Sequence, residues 1–487
     1  MNQPSQPGAL ALGELLPEAR LDPGLSQIRI CGITSDSRAV EKDFLFAALP
    51  GVKADGIIYA RTAAEKGAAV IIGQSAPESD PGIPVVLVPD ARVALAKIAA
   101  RFYPRQPKTI IAVTGTNGKT SVASFVRQIW AELGFAAASL GTVGLVSPKG
   151  EEYSNLTTPD PIALHRIVDR LAGEGVTHLA LEASSHGLDQ HRLDGLKFSA
   201  GGFTNITRDH LDYHATFDAY RDAKLKLFTG LLQPKAGAVI CADGPGAADF
   251  VVAAKERGLR LLTVGAHGLG IHLLKSERDG FAQRLTVRHA EEDYDLLLPL
   301  AGAFQMENAL VAAGLAIATG GKPAKVFAAL ENLKGAKGRL ERVGETNGAV
   351  IVVDYAHTPD ALANALDALR PYATGRLIAL FGAGGDRDPG KRPLMGAVAR
   401  DKADAVIVTD DNPRSEEPGT IRHQILAAAP GAREIGDRGA AIATAIGELQ
   451  PGDILLVAGK GHETGQIVGG QTLPFSDHEA ILAALKG

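Results

Sequence analysis

Short apolar runs, each closed by a cluster of Gly, Asp, Asn, Ser or Pro, alternate along this chain with longer stretches of helical period. Between Leu21 and about Pro104 the runs "AAVIIG" and "IPVVLVP" flank turn residues, and "ARVALAKIAARFY" has the spacing of a helix, a pattern that predicts a small α/β domain. The polar "YPRQPK" reads as a linker, after which "TIIAVTG" starts a new strand at Thr109. Val122, Phe125, Val126, Ile129, Trp130 and Leu133 then recur at helical spacing until Gly134 stops the helix. Further strands ending in polar clusters are expected at "THLALEASSHG" and "FSAGGFTNITRDHLDYH". Beyond "LKGAKGRLERV" come "AVIVVDYAHTPDAL", "LIALFGAGGDRD", "DAVIVTDDNPRSEEP" and "DILLVAGKGHE", four strands that each finish in a polar or glycine-rich loop. Strands alternating with helices predict an α/β protein with mostly parallel sheets covered on both faces. In such sheets ligands sit at the carboxyl ends of the strands, where the polar clusters fall.

Length and composition narrow the picture. A chain of 487 residues is too long for one core, and the punctuation above divides it at 1–104, 105–335 and 336–487. With 45% apolar and 22% charged residues, a net charge of -5 and scattered basic positions, no nucleic-acid partner is expected. Cys31 and Cys241 are too few for a disulfide framework and suit a reducing compartment. The stretch "MNQPSQPGALALGELLPEAR" has no basic residue ahead of its short apolar segment, and no apolar run reaches the roughly 20 residues that cross a bilayer, so no signal peptide and no membrane span are expected. A cytoplasmic protein is the expectation, and a monomer.

The strongest chemical signal is "TGTNGKTS". It has the ingredients of a phosphate-binding loop, but only Thr116 and Asn117 separate Gly115 from Gly118, where the common version has four residues between its first glycine and the Gly-Lys pair. Glycines let the backbone turn its amides toward phosphate oxygens, and the next helix presents its N-terminus to the same anion. Lys119 would reach the terminal phosphates and the Thr120 hydroxyl would serve Mg²⁺. That ion prefers oxygen ligands and needs few from protein. Glu182, closing "HLALE", is the candidate, with His210 in "TRDHLDYH" as a second.

These residues together resemble the Mur ligases, ATP-dependent enzymes that add amino acids to the nucleotide precursor of peptidoglycan. "TGTNGKTS" is similar to that family's short phosphate loop, "EASSHGL" to its metal strand, "TNITRDHLDYH" to its histidine motif and "YRDAKLKLF" to its lysine motif; "GAFQMENAL", "GRLERV" and "VDYAHTPDAL" are similar to its later nucleotide-binding segments. The resemblance implies a small N-terminal α/β domain for the UDP-linked substrate, a central P-loop-type sheet for ATP and a C-terminal Rossmann-like sheet for the amino acid. It implies ATP contacts at Gly115, Thr116, Asn117, Gly118, Lys119, Thr120, Ser121, Asn308, Arg339, Asp354 and His357. Metal ligands would be Thr120, Glu182, His210 and Lys224, the last as a carbamate, with Lys119, Lys224 and His210 as the catalytic set. A carbamate turns a cation into an oxygen ligand between two anionic substrates; read without the resemblance, Lys224 is a solvated helix lysine.

Within that resemblance, "DDNPRSEEP" is the segment expected to decide which amino acid is added. Asp411, Asn412, Pro413 and Arg414 resemble the DNPR motif of the family members that add meso-diaminopimelate, and the same residues are good turn chemistry that would aim Arg414 into a site. A guanidinium grips the distal carboxylate of diaminopimelate with two parallel hydrogen bonds; lysine, which lacks that carboxylate, would leave Arg414 buried and unpaired. Arg387, Gly459 and Glu463 are further implied contacts to the amino acid. For the UDP-N-acetylmuramoyl-L-alanyl-D-glutamate partner the resemblance implies Thr157, Thr158, Ser184, Gln190 and Arg192, with Ser37 and Arg38 near the uridine end. The expected reaction phosphorylates the D-glutamate γ-carboxylate, after which the amine attacks, and the C-terminal part is expected to move about "KGAKGRLE" as substrates bind. Two alternatives share the loop: a folylpolyglutamate synthase-like ligase, and a nucleotide-binding relative without catalysis.

Overall fold

The computed structural model describes residues 8–51, 54–153, 156–210 and 213–486. Asn155, shortly ahead of Thr157 and Thr158, and Leu211–Asp212 of "TNITRDHLDYH" lie outside the described residues. Chain contacts divide the protein into two compact units, residues 1–272 with 311–326, and residues 273–310 with 327–487.

Besides the short antiparallel pair Leu10–Ala11 and Arg29–Ile30, two sheets build the first unit. Gly32–Thr34, Phe44–Ala47, Ala68–Gly73 and Val85–Leu87 pair in that order, all parallel. Asp90 caps the helix Ala91–Phe102 by accepting from the amides of Arg92 and Val93, and its apolar face closes the small core. In the larger sheet Ala137–Gly141, His178–Glu182, Thr109–Thr114, Phe198–Phe203, Leu232–Cys241 and Arg260–Gly265 run side by side and parallel. Thr109–Thr114 lies at the centre and is buried throughout, which explains its unbroken apolar run. The chain leaves it toward one side, for Ala137–Gly141, and later returns to pair on the other with Phe198–Phe203. Its carboxyl end is therefore the switch point at which such sheets open a crevice. The helix Lys119–Glu132 follows, burying Val122, Phe125, Val126, Ile129 and Trp130 as their spacing predicts.

In the second unit the strands Ala349–Asp354, Ile454–Ala458, Leu377–Phe381 and Ala405–Val408 are parallel neighbours, so the four polar loops after them open at one end of the sheet. The sequence pattern did not separate three further features. Glu341–Thr346 adds an antiparallel edge, Gly465–Val468 and Gln471–Pro474 form a hairpin, and Ala282–His289 pairs with Glu292–Leu298 in another. That last hairpin has a period-two signature, with Gln283, Leu285 and Val287 buried and Arg284 and Arg288 exposed, which marks one covered face.

A buried ion pair ties the last helix, Asp477–Ala484, to this sheet. Arg438 Nε and Nη2 donate to the two Asp477 oxygens at 2.7 and 2.8 Å, and Nη2 also donates to Ala458 O at 2.9 Å. Both side chains are fully covered. Asp477→Ala would strand the guanidinium and is expected to destabilise the second unit by roughly 3–5 kcal/mol, whereas Arg438→Met with Asp477→Leu should cost far less. Urea unfolding of the three proteins checks this.

Candidate active site

In the first unit the phosphate loop is a built structure. Gly115 and Gly118 have φ of +148° and +87°, and a Cβ on Gly115 would lie 2.0 Å from Thr204 Oγ1. The segment after Phe203 braces the loop from outside: Asn205 O accepts from Thr116 N, Asn205 Oδ1 accepts from Asn117 N, and Thr204 Oγ1 donates to Asn117 O. Thr116 Oγ1 lies 3.0 Å from the Tyr220 hydroxyl, whose pKa burial pushes well above the usual range. Ser121, the third residue of the helix Lys119–Glu132, is buried and follows Thr120 in the chain.

Two lysines meet at this loop. Lys119 Nζ donates to Gly115 O at 2.9 Å and Thr116 O at 2.8 Å, and Lys224 Nζ donates to Gly115 O at 2.7 Å. Lys224 is 1% exposed, with its Nζ 4.6 Å from the Tyr220 ring centroid. Burial and then the charge of Lys119 hold its pKa well below the ordinary lysine value, and Asp209 opposes only in part. The solvated reading of Lys224 is thus corrected: it lies on the same helix face as Tyr220 and Ala223, and that face is turned inward.

Thr120 Oγ1 donates to Glu182 Oε2 at 3.1 Å, as the motif spacing anticipated. A residue the sequence did not single out completes the group: Thr142 donates its amide to Glu182 Oε1 at 2.7 Å and its hydroxyl to Oε2 at 3.0 Å. Glu182 is 2% exposed, and among the described residues it has no ion pair. A buried carboxylate matched only by neutral donors calls for a cation, and hydroxyl and carboxylate oxygens are the donors Mg²⁺ takes. Gly141 leaves room for that carboxylate, since a Cβ there would sit 2.0 Å from Glu182 Oε1 and displace it. Gly141→Ala is therefore expected to raise the Mg²⁺ concentration for half-maximal phosphate release by about 10- to 100-fold without unfolding the protein.

Thr157 Oγ1 joins Thr142 Oγ1 at 3.0 Å, while Thr158 Oγ1 donates to Glu182 O and lies 3.0 Å from Ser184 Oγ. Arg192 donates to Thr158 O at 2.6 Å and to Gln190 Oε1, and Gln190 Nε2 donates to the Tyr213 hydroxyl. Five of the expected substrate residues are thereby linked. His210 stands in a left-handed conformation, φ +52°, with its ring against His186 and its Nε2 3.6 Å from Asp209. Among the described residues no group of three or more His, Cys, Asp or Glu is assembled as a metal cage. Ser37 and Arg38 form an exposed turn in which Asp36 holds the Arg38 guanidinium at 2.9 to 3.2 Å.

In the second unit Asp354 accepts from the amides of Leu340 and Ala356, and burial raises its pKa against the pull of Arg339. Arg339 lies over the Tyr355 ring, its carbonyl accepts from Gln305 Nε2, and Asn308 Nδ2 lies 3.4 Å from Gln305 Oε1. Lys391, which the sequence did not single out, donates to His357 O.

Asp411, Asn412 and Pro413 are buried, and Arg414 has φ +54°, a strained region for a non-glycine residue. The strain is held from both sides, because Arg414 N donates to Ile467 O and Gly469 N donates to Arg414 O. Arg414 Nη1 donates to Gly385 O at 2.8 Å, and the side chain is half-buried. Arg387 is exposed in the neighbouring loop, which the buried Arg392 fastens by donating to Gly384 O and to both Glu416 oxygens. Gly459, φ +114°, lets its loop approach Asp411, and Glu463 Oε2 accepts from Asn412 Nδ2 at 2.8 Å.

Comparison with known proteins bears on nearly the whole chain. Family models described as "Mur ligase family, catalytic domain", "Mur ligase middle domain" and "Mur ligase, glutamate ligase domain" match residues 29–103, 113–316 and 338–461. A protein of Bradyrhizobium diazoefficiens called UDP-N-acetylmuramoyl-L-alanyl-D-glutamate--2,6-diaminopimelate ligase is 61% identical over 472 residues, 96% of this chain and 97% of that protein. A solved structure of a ligase with the same name aligns at 32% identity and a TM-score of 0.73, over 98% of this chain and 99% of the other. Folylpolyglutamate synthase of Mycobacterium tuberculosis aligns at 18% identity and a TM-score of 0.61, over 76% of this chain and 92% of that one, a likeness of fold alone. Among the described residues no helix is long and apolar enough to cross a membrane.

Proposed function

The chain belongs to the Mur ligase family, and from that premise we propose that it joins meso-diaminopimelate to UDP-N-acetylmuramoyl-L-alanyl-D-glutamate, with ATP going to ADP and phosphate, in the cytoplasm. The observation that carries the reading is the convergence of Lys119 and Lys224 on Gly115 O, beside a carboxylate, Glu182, that has no ion pair among the described residues. A nucleotide-binding relative without catalysis has no use for a second, buried lysine at its phosphate loop.

A carboxylate is a poor electrophile. In the first step an oxygen of the D-glutamate γ-carboxylate attacks the γ-phosphorus of ATP, the bond to the bridging oxygen breaks, and ADP leaves with an acyl phosphate behind. The amine of diaminopimelate then adds to the acyl carbon, and the tetrahedral intermediate expels phosphate and loses a proton. Lys119 gives up its contacts to the loop carbonyls and pairs with the phosphoryl oxygens, offsetting the repulsion between two anions. Thr120 and Glu182 would hold Mg²⁺, which when bound supplies the positive charge that phosphoryl transfer requires. Lys224, neutral more often than an exposed lysine, attacks CO₂ through Nζ; the new N–C bond forms, a proton goes to solvent, and a carbamate oxygen ligand results. We assign Gly115 to Ser121, Asn308, Arg339, Asp354 and His357 to ATP. Ser37, Arg38, Thr157, Thr158, Ser184, Gln190 and Arg192 take the UDP substrate, Arg387, Asp411 to Arg414, Gly459 and Glu463 take diaminopimelate, and His210 stays with the metal set. The division at 1–104, 105–335 and 336–487 has the support of three family models that each fall within one segment.

Phosphate release from ATP with the UDP-linked substrate, comparing meso-diaminopimelate with L-lysine, tests the reading. Release that depends on diaminopimelate is expected. Release stimulated by a folate instead would transfer the chain to the folylpolyglutamate reaction, and no substrate-dependent release would leave a binding protein.

A further inference from the structure

The second unit buries a lysine that the proposed reaction does not yet use. Lys460 lies between the two glycines of "GKGHE" and is 0% exposed. A lysine sealed from water needs both a counter-charge and acceptors for its donors. Two acceptors meet it, and both sit on residues proposed above for the amino acid: Asn412 Oδ1 at 3.1 Å and Glu463 Oε2 at 3.1 Å. Arg438, another buried cation, makes its two carboxylate hydrogen bonds to Asp477 and not to Glu463.

The three side chains fix one another. Asn412 Oδ1 accepts from Lys460 Nζ and from Ile467 N at 2.9 Å, which settles the orientation of the amide and leaves Nδ2 to donate to Glu463 Oε2 at 2.8 Å. Both of these bonds to Glu463 therefore fall on the same oxygen. One oxygen is anchored in the interior, among the described residues no hydrogen bond to the other is found, and the side chain is partly exposed.

We infer that Lys460 is the positioning residue of the amino-acid site: its buried side-chain nitrogen anchors Glu463 Oε2 and Asn412 Oδ1, so that Glu463 Oε1 is presented as a fixed acceptor for an ammonium group of the incoming amino acid. Lys460 itself touches no substrate. It acts through the carboxylate it orients, and through the loop whose next residues aim Arg414. This rests on the proposed assignment of Glu463 and Asn412 to diaminopimelate.

The test is a set of steady-state measurements of phosphate release on the full chain, with KM determined separately for ATP, the UDP-linked substrate and meso-diaminopimelate. Parent, Lys460→Met, Glu463→Gln and the double variant are compared. Lys460→Met is expected to raise the KM for diaminopimelate by about 10- to 100-fold while the other two KM values move by less than about threefold. In the Glu463→Gln background the same change should add little, because the group it positions is gone. A parental KM for diaminopimelate, an equal rise in all three KM values, or losses that simply multiply in the double variant would each overturn the inference. If Lys460→Met does not fold, Lys460→Gln decides: it keeps a donor for Asn412 and removes the charge, so a rise of about tenfold is expected and a parental KM overturns the role. A parent with no release dependent on diaminopimelate would instead remove the functional reading on which the inference stands.

Discussion

Lys224→Met is expected to lower diaminopimelate-dependent phosphate release by on the order of 10² to 10³-fold while leaving the folded state at least as stable. Methionine fills nearly the same volume, and the native amine is a buried cation beside another cation, with Gly115 O at 2.7 Å as its acceptor. Removing it therefore relieves a desolvation cost while deleting the nucleophile for CO₂. The paired observation is bicarbonate dependence: the parent should lose activity in rigorously CO₂-depleted buffer and regain it on adding bicarbonate, and the variant should respond to neither. A variant within tenfold of the parent, or a parent indifferent to CO₂, would remove the carbamate from the mechanism.

Arg414→Ala is the second large effect, and the structure sets its size. A truncated charge pair costs about 2–5 kcal/mol when the remaining group is left buried and bare. Here the guanidinium is half-buried and already donates to Gly385 O without a distal carboxylate. Selection against lysine is accordingly expected near the lower part of that range, about 10- to 100-fold in kcat/KM. Arg414→Ala should abolish this ratio by depressing the diaminopimelate reaction and sparing the slow lysine reaction. Arg414→Lys, which retains charge but not the planar fork, should recover only part of it. An unchanged ratio in Arg414→Ala would move the selection to Arg387 or to the Asn412–Glu463 pair.

Several features are legible in the amino-acid sequence because their causes are local. Strand and helix order follows from the period of the apolar positions, as in Val122 to Trp130. The phosphate loop is equally local, since a strand, two glycines at positive φ and a helix start lie within a dozen residues. Less is legible where the pattern carries two meanings. The hairpin Ala282–Leu298 alternates as a half-covered ribbon should, yet its charged outer face reads equally as loop. Lys224 is similar: Tyr220, Ala223 and Lys224 share a spacing that places them on one face, but one lysine among three positions argues for solvent.

By itself the sequence determined the parallel sheets, the loops at their carboxyl ends, the family and the identity of most groups proposed to meet the substrates. Only the tertiary structure decided what those groups are to one another. Gly115 lies 109 positions before the lysine that donates to it, and Thr142 lies 40 before the carboxylate it steadies. Asn412 is 48 before the ammonium that orients it. Side-chain periodicity reports which face of an element is buried; it does not report which distant residue covers that face. Burial by a distant partner is what lowers the pKa of a lysine that would otherwise be solvated, and what makes an ordinary Gly-Lys-Gly loop the proposed anchor of a binding site.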